Sequence, residues 1–213
     1  MIKSKESILV FDKDGVITDT ENFKLLTLEK ILTKEFPLLK DEIIAYNRSK
    51  RGMYRSDKIK KIYKHVIKSA LDDATLWYLL DEFESAMNKN LNDVNLIPGV
   101  KNFILSTKQI KYISSAAPKK EVKQHLEFFG LANEFNGIYA SPKYTNKTIA
   151  LEEIKEKHQL PIIFFGDSLS DYIHASNVNV QFIGVTYCSD VFNNMNGINL
   201  IQDFNDTQSV LQP

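Results

Sequence analysis

An apolar run, Ile8-Leu9-Val10-Phe11, that ends in Asp12-Lys13-Asp14-Gly15 constrains this chain more than any other segment. Its length and composition are those of a buried strand. If the strand continued, Asp12 and Asp14 would share one face and force two like charges together in a core. The strand therefore ends, Gly15 turns the chain, and both carboxylates project from the strand's C-terminal edge. Open α/β sheets bind their ligands at that edge. A second acidic turn, Gly166-Asp167-Ser168-Leu169-Ser170-Asp171, follows another apolar run. Two such strand ends side by side make an oxygen-rich site suited to a hard divalent cation such as Mg²⁺. A solvated Asp-Gly turn is the plainer reading of the first pair, but it leaves the second acidic turn unaccounted for.

The rest of the chain falls into two regimes. From about residue 21 to 92 the apolar spacing is helical. Leu25, Leu28 and Leu32 form one stripe, Ile59, Ile62, Tyr63, Val66 and Ile67 a second, and Leu76, Leu79, Leu80, Phe83 and Met87 a third. Four helices are expected, with breaks at Phe36-Pro37 and around Arg51-Gly52, and Trp77 is assigned to their core. Outside this region strands alternate with helices. Strands are expected at 8–12, 110–114, 137–140, 162–165, 180–185 and 198–201, and helices at 118–129 and 148–157. Pro118 suits a first helical turn and Gly130 a stop. Such alternation predicts an α/β fold with a Rossmann-like, doubly wound parallel sheet. The helical stretch interrupts it after the first strand, giving a core of residues 1–19 and 94–213 and an inserted all-helical cap of residues 20–93.

Charge and cysteine content exclude several function classes. The 27 basic residues balance the 27 acidic ones, so no bulk field favours nucleic acid or an anionic membrane surface. No apolar run is long enough for a membrane-spanning helix. The segment MIKSKES, directly ahead of the first strand, leads us to expect no signal peptide and hence a cytoplasmic location. Cys188 has no partner cysteine in the chain, and the four histidines lack metal-ligand spacing. They read as surface or boundary residues.

With these motifs in order, the chain resembles the haloacid dehalogenase-like superfamily, in the branch with a helical cap inserted after the first strand. Asp12-Lys13-Asp14-Gly15-Val16-Ile17-Thr18-Asp19-Thr20 matches the first family motif. Tyr112-Ile113-Ser114-Ser115, Lys147, and Gly166-Asp167 with Asp171 match the other three. The resemblance implies that Asp12 is a nucleophile and Asp14 a general acid/base. It implies that Mg²⁺ is held by Asp12, the backbone carbonyl of Asp14, and Asp167, with Asp171 either a further ligand or a support for the others. Ser115 and the Ala116 N–H would bind phosphate oxygens, and Lys147 would offset charge on the transferring group. Ser114 competes with Ser115, and Lys143 with Lys147. The helix starts that follow favour Ser115 and Lys147. Gly52-Met53-Tyr54-Arg55-Ser56-Asp57 resembles a cap segment whose arginine reaches substrate phosphate, which makes Arg55 a candidate and Arg51 its alternative.

The expected activity is Mg²⁺-dependent hydrolysis of a small phosphorylated metabolite through an aspartyl-phosphate, by a monomer or homodimer. A phosphomutase similar to β-phosphoglucomutase is the alternative enzyme. Phe23-Lys24 in place of a cap histidine, and Gly166-Asp167 in place of Glu-Asp, weigh against it. A non-catalytic phosphate-binding or regulatory module is the alternative of a different class.

Overall fold

A computed structural model describes residues 7–50, 53, 55–89, 94–193, 195–205 and 207. The chain divides into two compact units, one of Met1–Thr20 and Asn95–Pro213, the other of Glu21–Val94. The first unit is built on a six-stranded parallel sheet of order β3-β2-β1-β4-β5-β6. Its strands are β1 (Ile8–Phe11), β2 (Lys111–Pro118), β3 (Gly137–Ser141), β4 (Ile162–Gly166), β5 (Gln181–Val185) and β6 (Asn199–Ile201).

Central parallel strands are covered on both faces and so read as unbroken apolar runs. All four residues of β1 are fully buried. Leu9 and Phe11 enter one core with Ile113, Ile163 and Phe165, while Ile8 and Val10 enter the other with Tyr112, Leu151 and Phe164. Phe11 stacks on Phe165 with ring centroids 4.9 Å apart. Burying each such side chain stabilises the sheet by roughly 1.5–3 kcal/mol, which fixes β1 and the residue that follows it. Phe11 pairs with Ile113 of β2 and Phe165 of β4. The strand end carrying Asp12 therefore lies between those carrying Ser114 and Gly166.

The expected strands are present, and β2 is longer than its apolar run. Its pairing with β3 continues through Ser114 and Ser115 to Pro118, with a register shift between the last two. Backbone pairing extends past the point where apolar patterning stops. Pro118 consequently precedes the next helix, α6 (Lys119–Phe128), rather than sitting in its first turn. That helix stops as expected, with Gly130 left-handed at φ +69°. The later helix begins at Lys147 and ends at His158. Two helices, α5 (Val100–Ser106) and α8 (Leu169–Asn177), are absent from the apolar pattern. Each is too short for a helical period to stand out.

The second unit comprises α1 (Thr20–Glu35, its first residue belonging to the core unit), α2 (Lys40–Ser49), α3 (Arg55–Ile62) and α4 (Asp73–Lys89). The chain breaks after α1 into a short 3₁₀ turn, Pro37–Leu39, while the break expected near Arg51-Gly52 lies outside the described residues. Tyr63–Ile67 continue α3 as a single π-helical turn, which widens the stripe that includes Ile59 and Ile62. The three stripes meet in one core containing Leu28, Leu32, Ile59, Ile62, Leu79 and Phe83. Trp77 corrects the expectation of a core position, being 71% exposed. It lies one residue past Leu76, about 100° around the helix from the buried stripe.

Candidate active site

Asp12 stands at the strand end with its backbone still in the sheet, its N–H donating to the Phe165 carbonyl at 2.9 Å. Side-chain alternation places Asp12 on the Val10 face, the face covered by residues of α7 (Lys147–His158) and α8. Its Oδ1 accepts from the Lys13 N–H at 2.7 Å, and its Oδ2 lies 2.8 Å from Lys147 Nζ. Lys147 reaches Asp12 because Asn146 caps α7, accepting from the Thr148 N–H at 2.8 Å. That cap sets Lys147 in the first helical turn. Lys143, the competing lysine, is exposed, with its ammonium over the Tyr144 ring.

Asp171 is held by a reciprocal cap at the start of α8. Ser168 Oγ accepts from the Asp171 N–H at 3.2 Å and donates to Asp171 Oδ2 at 2.7 Å. The other carboxylate oxygen, Oδ1, accepts from Lys147 Nζ at 2.5 Å. Asp167 completes the cluster. One carboxylate oxygen from each of Asp12, Asp167 and Asp171 lies within 4.8 Å of the others. Two glycines allow this crowding. Gly15 has φ +77°, and a Cβ there would fall 2.1 Å from Asp167 Oδ2. A Cβ on Gly166 would fall 2.5 Å from that of Asp171.

Asp14 is engaged differently. Its Oδ1 accepts from the Thr20 hydroxyl and lies 3.0 Å from Lys13 Nζ. Ser115, buried at the end of β2, accepts from the Ala117 N–H at 3.1 Å, and Ala116 between them is exposed. Ser114 lies on the opposite face of β2, with its buried hydroxyl unpartnered. Arg55 opens α3 in the other unit, its guanidinium 3.6 Å from the centroid of the Phe83 ring. Arg51, Gly52 and Tyr54 lie outside the described residues. The residue reading missed Thr20 as a partner of Asp14, and it missed the pairing of Lys13 with Glu121 at 2.5 Å. A lysine between two aspartates looks solvated in a sequence, so only Thr20, already in the first motif, carried a signal.

The electrostatics follow from this burial. Desolvation pushes the Asp12 carboxyl up to about 7, with Lys147 opposing the shift and Asp171 and Asp14 adding to it. Burial works against the Lys147 charge, but Asp12 and Asp171 outweigh it and hold its pKa above the ordinary lysine value. A carboxyl raised in the folded state stabilises the fold below its unfolded pKa, and that contribution is lost as pH rises through the folded value. For Asp12 the window runs from 3.8 to about 7. In excess chelator, the Tm of the wild type is expected to fall across this window more steeply than that of Asp12→Asn. Parallel Tm–pH curves for the two proteins, measured by scanning calorimetry, would remove Asp12 as the source.

Three clustered carboxylates are an all-oxygen donor set, the kind a hard divalent cation takes, and excess negative charge remains after Lys147 is counted. The residues fit such an ion.

Comparison with known proteins extends this picture. Residues 9–185 match the model of the family described as haloacid dehalogenase-like hydrolase. No curated protein matches the chain. Among solved structures, a haloacid dehalogenase-like hydrolase from Streptococcus pneumoniae is 17% identical, with a TM-score of 0.74, over 98% of this chain and 100% of that one. A predicted phosphoglycolate phosphatase from Haemophilus somnus is 19% identical, with a TM-score of 0.76, over 98% of this chain and 99% of that one. CbbY from Rhodobacter sphaeroides, solved with phosphate, is 14% identical, with a TM-score of 0.69, over 98% and 97%. These likenesses establish a shared fold, and the family match spans most of the chain, including β1 from Leu9 onward with its acidic turn and the acidic turn after β4. The chain belongs to the haloacid dehalogenase-like hydrolase family.

Proposed function

We propose that this hydrolase is a Mg²⁺-dependent phosphatase acting on a small phosphorylated metabolite through an aspartyl-phosphate. The observation that carries the reading is the placement of Asp12. It sits at the sheet edge with Lys147 on one oxygen and two further carboxylates beside it. Phosphate-monoester hydrolysis is among the slowest uncatalysed reactions, and a carboxylate nucleophile divides it into two easier steps. The phosphatase and phosphate-bound relatives among the solved structures support the same substrate class.

In the first step a carboxylate oxygen of Asp12 attacks phosphorus while the bond to the leaving alcohol breaks. Asp14 protonates that alcohol. In the second step Asp14 takes a proton from water as the water oxygen attacks phosphorus, releasing inorganic phosphate and restoring Asp12. Ser115 and the Ala116 N–H bind phosphoryl oxygens, and Lys147 offsets their charge. Asp12, Asp167 and the Asp14 carbonyl would hold the cation, with Asp171 as a further ligand or as the group orienting Lys147. When bound, the ion supplies Lewis-acid neutralisation at the transferring group.

Turnover of p-nitrophenyl phosphate is expected to require Mg²⁺ and to be inhibited by Ca²⁺. Calcium takes more ligands at longer distances and disturbs a nucleophilic carboxylate it captures. Undiminished turnover in excess chelator would rule the metal-dependent mechanism out. A screen of phosphorylated sugars, glycolate and nucleotides then identifies the preferred leaving group.

Arg55 is the proposed contact with an anionic group of the substrate. Stacking on Phe83 preorganises its guanidinium, and a charge-assisted hydrogen bond is worth about 1.5–3 kcal/mol. Arg55→Ala should therefore lower kcat/KM for the best substrate by roughly 10- to 150-fold. An unchanged kcat/KM would assign the arginine to the packing of α3 on α4 alone.

A further inference from the structure

The sequence places Lys13 between the two aspartates of the first acidic turn, where a lysine would ordinarily extend into water. Instead its side chain is fully buried. Burying an ammonium is costly unless it is paired and hydrogen-bonded. Lys13 is paired twice, with Asp14 Oδ1 at 3.0 Å and Glu121 Oε1 at 2.5 Å. Glu121 lies in the first turn of α6, where the helix dipole favours a carboxylate. This helix begins directly after the Ser115–Pro118 end of β2.

The same lysine is tied in through its backbone. Its carbonyl accepts from the Ile17 N–H at 2.9 Å, the Thr18 N–H at 3.0 Å and the Thr18 hydroxyl at 3.3 Å. The Thr18 hydroxyl lies 3.2 Å from that of Thr20, which donates to Asp14 Oδ1. The result is a closed ring of contacts in which both anchors, the Lys13 ammonium and the Thr20 hydroxyl, converge on one oxygen of Asp14. Two donors on one oxygen hold that end of the carboxylate in place.

We propose that Lys13, braced by Glu121, is a positioning residue that holds the Asp14 carboxylate in its proton-transferring orientation and couples it to the helix after the phosphate-binding turn. The proposal rests on the phosphatase reading for its kinetic consequences and on geometry alone for its structural one. The Lys13 side chain touches no substrate in this scheme, and its backbone N–H, which donates to Asp12 Oδ1, is kept in any side-chain substitution. The side chain acts through Asp14, so its loss should appear in turnover rather than in binding.

The test uses Lys13→Met and the double variant Lys13→Met/Glu121→Gln, which also removes the carboxylate left without its lysine. Phenyl phosphate with Mg²⁺ is the probe, because its leaving group needs a proton. Misplacing a catalytic group by about 1 Å can cost on the order of 10²-fold, so kcat in both variants is expected to fall by about 10- to 100-fold with KM near the wild-type value. The double variant should recover Tm lost by the single one without recovering kcat. Its crystal structure should show Asp14 turned from Lys13's former position or in more than one orientation. Recovery of kcat together with Tm would overturn the proposal, as would an Asp14 carboxylate unmoved in the crystal. If wild-type protein hydrolyses no phosphate ester, the phosphatase reading fails, and the Asp14 orientation in the crystal still decides the role of Lys13.

Discussion

Asp12→Asn is expected to abolish phosphoryl transfer, with kcat lower by at least about 10⁴-fold, as for the loss of other enzymic nucleophiles. The amide is a poor nucleophile and a weak ligand for a hard cation, so both contributions of Asp12 disappear together. Folding should survive. The backbone bond of residue 12 to Phe165 does not involve the side chain, and the neutral amide removes a charge that burial disfavours. Lys147 keeps its bond to Asp171. Steady-state hydrolysis, with intact-protein mass spectrometry of acid-quenched enzyme, checks the result. Wild type should carry a phosphoryl adduct during turnover and the variant none. Wild-type rates in Asp12→Asn would sink the covalent assignment.

Asp14→Asn should lower kcat by roughly 10²–10⁴-fold, the range for loss of a general acid/base. The substitution is nearly isosteric, and its amide oxygen can still accept from Thr20 and Lys13. Proton transfer is lost, together with one of the two carboxylate charges paired with the buried Lys13 ammonium. The loss should be larger for phenyl phosphate than for p-nitrophenyl phosphate, since a nitrophenolate departs without a proton while an ordinary phenol, with a pKa near 10, needs one. Equal losses on the two esters would mean that Asp14 serves the water step alone. No loss on either would take Asp14 out of the mechanism.

Much of the fold was legible from local pattern. An apolar strand that ends in paired carboxylates can place them only at a sheet edge, and the match of Gly15 and Gly166 to acidic turns marks where those edges converge. The helical spacing between residues 21 and 92 was legible because amphipathic periodicity is local. Short or exposed elements were less legible. Nothing in the spacing of α5 distinguishes it from a loop, and Trp77 resembles a core residue until the phase of its helix is known.

Pairing across the sheet is long-range, and no local pattern contains it. Ser115 and Ser114 are adjacent in sequence yet lie on opposite faces of β2 because strand side chains alternate. Lys143 and Lys147 are the same residue type, but the Asn146 cap turns only the second toward Asp12 and Asp171. Lys13 is the sharpest case. The residue types Asp-Lys-Asp are compatible with a solvated turn, and burial of the ammonium is offset by Asp14 together with Glu121, which α6, more than a hundred positions later, brings to within 2.5 Å. Residue types and their order determine which chemistry the chain can carry. The packing of distant elements determines which of several equivalent side chains is desolvated, paired and aimed.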